Sequence, residues 1–215
     1  MSPSLRSDRS WFRFLSAQAC RLRFTIVFLA MMVSGNLLAG SLAQPLPATV
    51  LSRWGIGHDS VLSGELFRLA TGIFLSHDPD MLLRQFGLAA ATIGYTEWRR
   101  GTVWAILFFF SLDLIGTLAL ITSISLAASW IDLTAANDVG MPVGGFGLIG
   151  LAIASSRHSR LLLPTLLGAI AIKFYLEPGV LADGRNVLAT SIGYALGAIL
   201  PPSRSKEQKD AVHAY

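Results

Sequence analysis

The run from Thr102 to Ile124, TVWAILFFFSLDLIGTLALITSI, carries one charged residue, Asp113, in 23 positions. At 1.5 Å per residue it is long enough to cross about 30 Å of hydrocarbon as a helix. Working outward, five further apolar stretches share its character: Phe24 to Ala43, Met81 to Trp98, Val143 to Ser156, Leu161 to Tyr175 and Val187 to Leu200. Across all 215 residues 53% are hydrophobic and 14% charged, where a soluble domain carries charge on about a quarter of its residues. Backbone exposed to lipid has no water to bond to, so these stretches must be helices. The expectation is an all-α polytopic membrane bundle of six transmembrane helices.

Arginine and lysine orient it. Arg6, Arg9, Arg13, Arg21 and Arg23 precede the first stretch, Arg99 and Arg100 follow the second, Arg157 and Arg160 follow the fourth, and Arg204, Lys206 and Lys209 follow the last. Twelve of the 17 basic residues thus fall on one alternate set of loops. The positive-inside bias then places both termini in the cytoplasm, which suits an inner (plasma) membrane. The net charge of +4 is accounted for by topology and contact with the lipid bilayer, not by nucleic acid. Residues 1–23 form a cytoplasmic N-terminal segment, 24–200 the membrane domain and 201–215 a cytoplasmic tail. Ser41-Leu42-Ala43 imitates a signal-cleavage ending. The apolar stretch before it exceeds a signal core and more spans follow, so a retained first helix is expected. Cys20 is the single cysteine and reads as an incidental thiol.

Two loops and spans depart from a plain bundle. The segment from Gln44 to Asp80 is rich in apolar and aromatic residues, which points to short interfacial helices. The fourth stretch covers only about 21 Å as a helix, short for a bilayer. It opens on Gly144-Gly145-Phe146-Gly147, with Gly150 a turn on, and the last stretch carries a G-x-x-x-G at Gly193 and Gly197; glycines of this kind let helices approach closely, so a tight contact between the two is expected.

Four motifs in order then resemble the rhomboid family of intramembrane serine proteases, over about Trp54 to Leu200. Gly64-Glu65-Leu66-Phe67-Arg68-Leu69-Ala70-Thr71 looks like the family's G-E-x-W-R-L-x-T, with Phe67 for tryptophan. Glu97 to Gly101 matches its E-x-x-x-G. Asp138-Val139-Gly140 through Gly144-Gly145-Phe146-Gly147-Leu148 resembles the nucleophile loop and helix start, and Ala189 to Gly197 the last helix. In active members a serine in G-x-S-G is activated by a histidine of the last helix, and an H-x-x-x-N of the second span stabilises the oxyanion. The aligned positions here are Pro142 for the serine, Thr190 for the histidine, and Met81 and Gln85 for the H-x-x-x-N pair. Proline has neither hydroxyl nor N–H, and threonine is no base near neutral pH. Catalytic residues are therefore expected to be none.

His58, His77, His158 and His213 all fall outside the spans, so neither a haem nor a metal site nor any other cofactor is expected. Asp113 sits near mid-membrane, where a carboxyl is either satisfied by neighbours or a contact for a partner helix. The resemblance implies that Glu97 anchors helix ends or loop backbone; Arg84 is expected to snorkel, and Lys173 and Tyr175 to sit at the interface. The function that fits is a catalytically inactive rhomboid-like protein that binds transmembrane segments of membrane proteins, as a client-binding or assembly factor or an accessory subunit of a larger complex. The alternatives are an active protease with a non-standard nucleophile and, with less support, a small transporter or lipid-handling protein.

Overall fold

The computed structural model describes residues 21–56, 63–65, 67–127, 139–140, 142–176 and 180–200. Their regular structure is helical, with no strand among them. In chain order the helices are α1 (Arg23–Ala39), α2 (Ala48–Trp54), α3 (Phe67–Thr71), a 3₁₀ turn (Gly72–Phe74), α4 (Pro79–Arg100), α5 (Thr102–Ala127), α6 (Pro142–Ala154), α7 (Ser159–Leu176) and α8 (Val180–Ile199). Two of them, over Thr102–Leu120 and Ser159–Leu176, are long and apolar enough to cross a membrane; α1 and α6 are shorter apolar helices.

Helix boundaries follow local chemistry. The Asp78 carboxylate accepts the Met81 N–H at 2.7 Å, Pro79 opens α4, Asp80 lies in its first turn and Arg99 and Arg100 in its last. This is the charge order that the helix dipole favours. Gly101 ends α4 at φ +90°, and its N–H returns to the Glu97 carbonyl at 2.8 Å; that φ suits glycine. The last helix begins at Val180, earlier than the Val187 that hydropathy suggests. Asp183 and Arg185 end an apolar window without ending a helix, and Asp183 in the first turn is favourably placed.

The short helix α6 lies at the centre, touching α4, α5, α7 and α8, and its contact with α8 is the most extensive between any two helices. Its Val143, Gly144, Gly145, Gly147, Leu148, Gly150, Leu151 and Ile153 are buried. The crossing with α8 is backbone on backbone. A Cβ on Gly193 would run into the Gly147 carbonyl, and one on Gly150 into the Thr190 carbonyl. The apolar core is built by α1, α4, α5 and α6: Phe28 and Phe109 meet edge to face at 4.9 Å, closed by Met32, Ile93, Leu112 and Leu148.

The segment between α1 and α4 is folded against the bundle. Arg68 pairs with Glu65 at 2.6 Å and donates to the Ser52 and Gly55 carbonyls at 2.6 and 3.2 Å, tying α3 to the end of α2. Phe67 meets the Trp54 ring edge to face at 6.2 Å. Leu66, Cys20, His58, Asp138, Met141, His213 and the tail 201–215 lie outside the described residues.

Candidate functional site

Two buried acids organise the interior, and both act on the start of another helix. Leu22 precedes α1 and offers no side-chain cap, which leaves first-turn N–H groups without partners. Glu97, 2% exposed near the end of α4, takes them instead. Its Oε1 accepts the Phe24 N–H at 2.9 Å and the Thr102 hydroxyl at 2.7 Å; its Oε2 accepts the Thr25 N–H at 2.9 Å and the Thr25 hydroxyl at 2.7 Å. One side chain thus fastens the starts of α1 and α5 to the end of α4.

Asp113 does the same for α6. Its Oδ1 accepts the Gly144 N–H at 3.0 Å, in the first turn of the central helix, and Arg185 of α8 adds electrostatic attraction. A helix that opens on Pro142 has no capping hydroxyl of its own, so the cap comes from across the α5–α6 contact. Asp113 is buried.

A third polar chain joins α1 to α4. Asn36, fully buried, donates to the Met32 and Phe74 carbonyls at 2.8 Å each, and its Oδ1 accepts the Ser41 hydroxyl at 2.7 Å and the Ser76 N–H at 2.9 Å. The Ser76 hydroxyl donates in turn to Gln85 Oε1 at 2.8 Å. Sequence reasoning missed Asn36; the available signal was an amide in the first apolar run, where hydrogen bonding between segments is the usual role.

The four positions aligned with catalytic groups fall around the start of α6. Gln85 is 4% exposed and its Nε2 has no partner among the described residues; it lies against Gly140, with the Met81 methyl beside it. Gly140 has φ +113°, which suits glycine, and a Cβ there would push the Gln85 amide aside. Pro142 is the first residue of α6. Thr190 is 0% exposed and its hydroxyl donates to the Asn186 carbonyl, one turn back on its own helix, at 2.7 Å. Neighbouring Ala189 comes close to the point where a Cβ on Gly116 would stand, as does Val143. None of these four positions supplies a histidine or a serine, so they form no hydroxyl–imidazole pair.

Elsewhere, His158 is exposed between α6 and α7. The His77 carbonyl accepts the Leu46 N–H at 2.7 Å. Among the described residues no three His, Cys, Asp or Glu gather as a metal-ligand set. Lys173, expected at an interface, reaches from α7 to Asp183 of α8 at 3.0 Å. Arg84 is exposed and Tyr175 is 86% exposed. No protein-family model, curated protein or solved structure matches the chain.

Proposed function

We propose that the chain is a catalytically inactive rhomboid-like membrane protein that receives transmembrane segments of other proteins. In this reading α1, α4, α5, α6, α7 and α8 are six spans of an inner-membrane bundle with both termini cytoplasmic. α6 starts near mid-bilayer, where Asp113 of α5 caps it. Support for the inactivity comes from Pro142 and from Thr190, whose buried hydroxyl is committed to the Asn186 carbonyl.

The observation that carries the binding role is the placement of α7. It buries only Ile170 of its 18 residues, and it touches α6 and α8 without a comparable contact to α4 among the described residues. In this reading an apolar helix held this lightly leaves the side of α6 between α4 and α7, both of which touch α6, for a further helix to occupy. Close packing in lipid is driven by shape and by polar groups, not by dehydration, so a partner helix substitutes for lipid there at small cost. Such a protein acts as a client-binding or assembly factor, or as a subunit of a larger membrane complex.

Extraction in mild detergent followed by affinity capture tests this. A stoichiometric membrane protein should co-purify with the wild type, and a serine-reactive fluorophosphonate probe should leave the chain unlabelled. Capture of no membrane protein, or labelling that a single Ser→Ala change abolishes, contradicts the proposal.

A further inference from the structure

The end of α4 presents two adjacent arginines that no carboxylate among the described residues answers. Arg100 is half-buried; its Nη2 donates to the Ser155 hydroxyl at the end of α6 at 3.2 Å, and its guanidinium lies 5.6 Å from the centre of the Phe108 ring. The nearest acid in sequence, Glu97, has both oxygens taken by Phe24, Thr25 and Thr102. Between the helix ends lies a small cavity of about 20 Å³, lined by Tyr95, Thr96, Arg99, Arg100 and Ser155 together with α6 side chains. That is room for roughly one oxygen atom, with the Arg99 and Arg100 guanidinium groups in the lining as donors and open space beyond; the Thr96 and Ser155 hydroxyls there already donate to the Thr92 and Leu151 carbonyls at 2.8 and 3.0 Å.

We infer that this cavity binds a phosphate-bearing anion: one phosphate oxygen enters between α4 and α6 while Arg99 and Arg100 neutralise the rest. An oxyanion is best met by planar, bidentate donors, which arginine supplies better than lysine. The source that fits is the headgroup of an anionic phospholipid, because the positive-inside orientation proposed above puts Arg99 and Arg100 at the cytoplasmic headgroup level; free phosphate shares the chemistry. The inference rests on that orientation for its lipid source, and on the contacts alone for the anion site. Bound there, the anion joins α4 to α6, the helix on which the bundle is centred.

The test uses the purified full chain in mild detergent, offered phosphatidylglycerol or phosphatidylcholine, with retained lipid counted by native mass spectrometry. The wild type should prefer phosphatidylglycerol, and Arg99→Gln with Arg100→Gln should cut that preference roughly thirtyfold, at about a factor of five per arginine. Arg99→Gln alone, which leaves the Arg100–Ser155 bond in place, should cost about a factor of five. Arg160→Gln, on the same set of loops but outside the cavity, should leave the preference unchanged. If millimolar inorganic phosphate displaces the lipid, the site takes the free anion; if it does not, the lipid headgroup is the ligand. An unchanged preference in the double variant, or an equal loss with Arg160→Gln, overturns the inference. No partner protein is present in this assay, so failure to capture a client leaves its result intact.

Discussion

Replacing Glu97 by glutamine preserves its volume and removes one acceptor, and the structure says where the loss falls. The two backbone donors sit on different oxygens, Phe24 N–H on Oε1 and Thr25 N–H on Oε2. An amide has one acceptor oxygen and one donor nitrogen, so whichever way the new side chain flips, one backbone N–H faces an NH₂ group. The threonine hydroxyls at 25 and 102 can rotate to accept from that nitrogen; a backbone N–H cannot. Leaving one buried donor without an acceptor costs about 1–3 kcal/mol, so Glu97→Gln should destabilise by about 2 kcal/mol. Glu97→Ala strands both donors and should cost about 4 kcal/mol. Thr25→Ala removes one hydroxyl bond, leaves both N–H groups capped, and should cost about 1 kcal/mol.

For a chain of this size, those figures correspond to a fall in melting temperature of about 6 °C for the glutamine variant and about 12 °C for alanine. Thermal unfolding in mild detergent, followed by circular dichroism, reads them directly. A glutamine variant as stable as the wild type would refute the capping role, as would one less stable than the alanine variant.

Other perturbations probe the remaining contacts. Asp113→Asn keeps an acceptor for the Gly144 N–H and should be tolerated within about 1 kcal/mol, whereas Asp113→Leu strands that donor at about 1–3 kcal/mol; the same melting assay separates them. Gly140→Ala should destabilise through both its positive φ and its overlap with the Gln85 amide. In a Gln85→Ala background the penalty should drop toward the backbone part alone, about 1–2 kcal/mol, a coupling that a double-mutant cycle measures. Gly193→Leu forces a side chain into the Gly147 backbone and should prevent the α6–α8 crossing, seen as loss of a folded, monodisperse species on size exclusion.

Much of the helical layout was legible from composition and apolar runs, because each run must satisfy its own backbone. Helix ends were less so. Val180 to Asn186 is helical despite being polar, since an Asp183–Lys173 pair and the dipole compensate what hydropathy counts against it. The glycines at 147, 150, 193 and 197 announced a close approach that the α6–α8 contact displays. What individual polar residues do was not legible from spacing. Asp113 was visible as an acid in an apolar run, and Glu97 as an anchor for helix ends or loop backbone through the resemblance alone, yet which helix starts beside each, 31 and 72 or 73 residues away in sequence, was not. Asn36 is one amide in an apolar run, and nothing near it in sequence announces its bonds to Phe74 and Ser76. Long-range partnerships of this kind are set by packing, and no local pattern encodes them.

The most direct test of the central claim places a photo-reactive residue at exposed positions along α7 and α4 and, for comparison, along the exposed face of α5 at Val103, Leu107 and Leu114. Irradiation in intact membranes should give adducts with a discrete membrane protein from α7 and α4 and none from the α5 face. Adducts spread evenly over all three helices, or absent from all of them, would contradict a binding flank between α4 and α7.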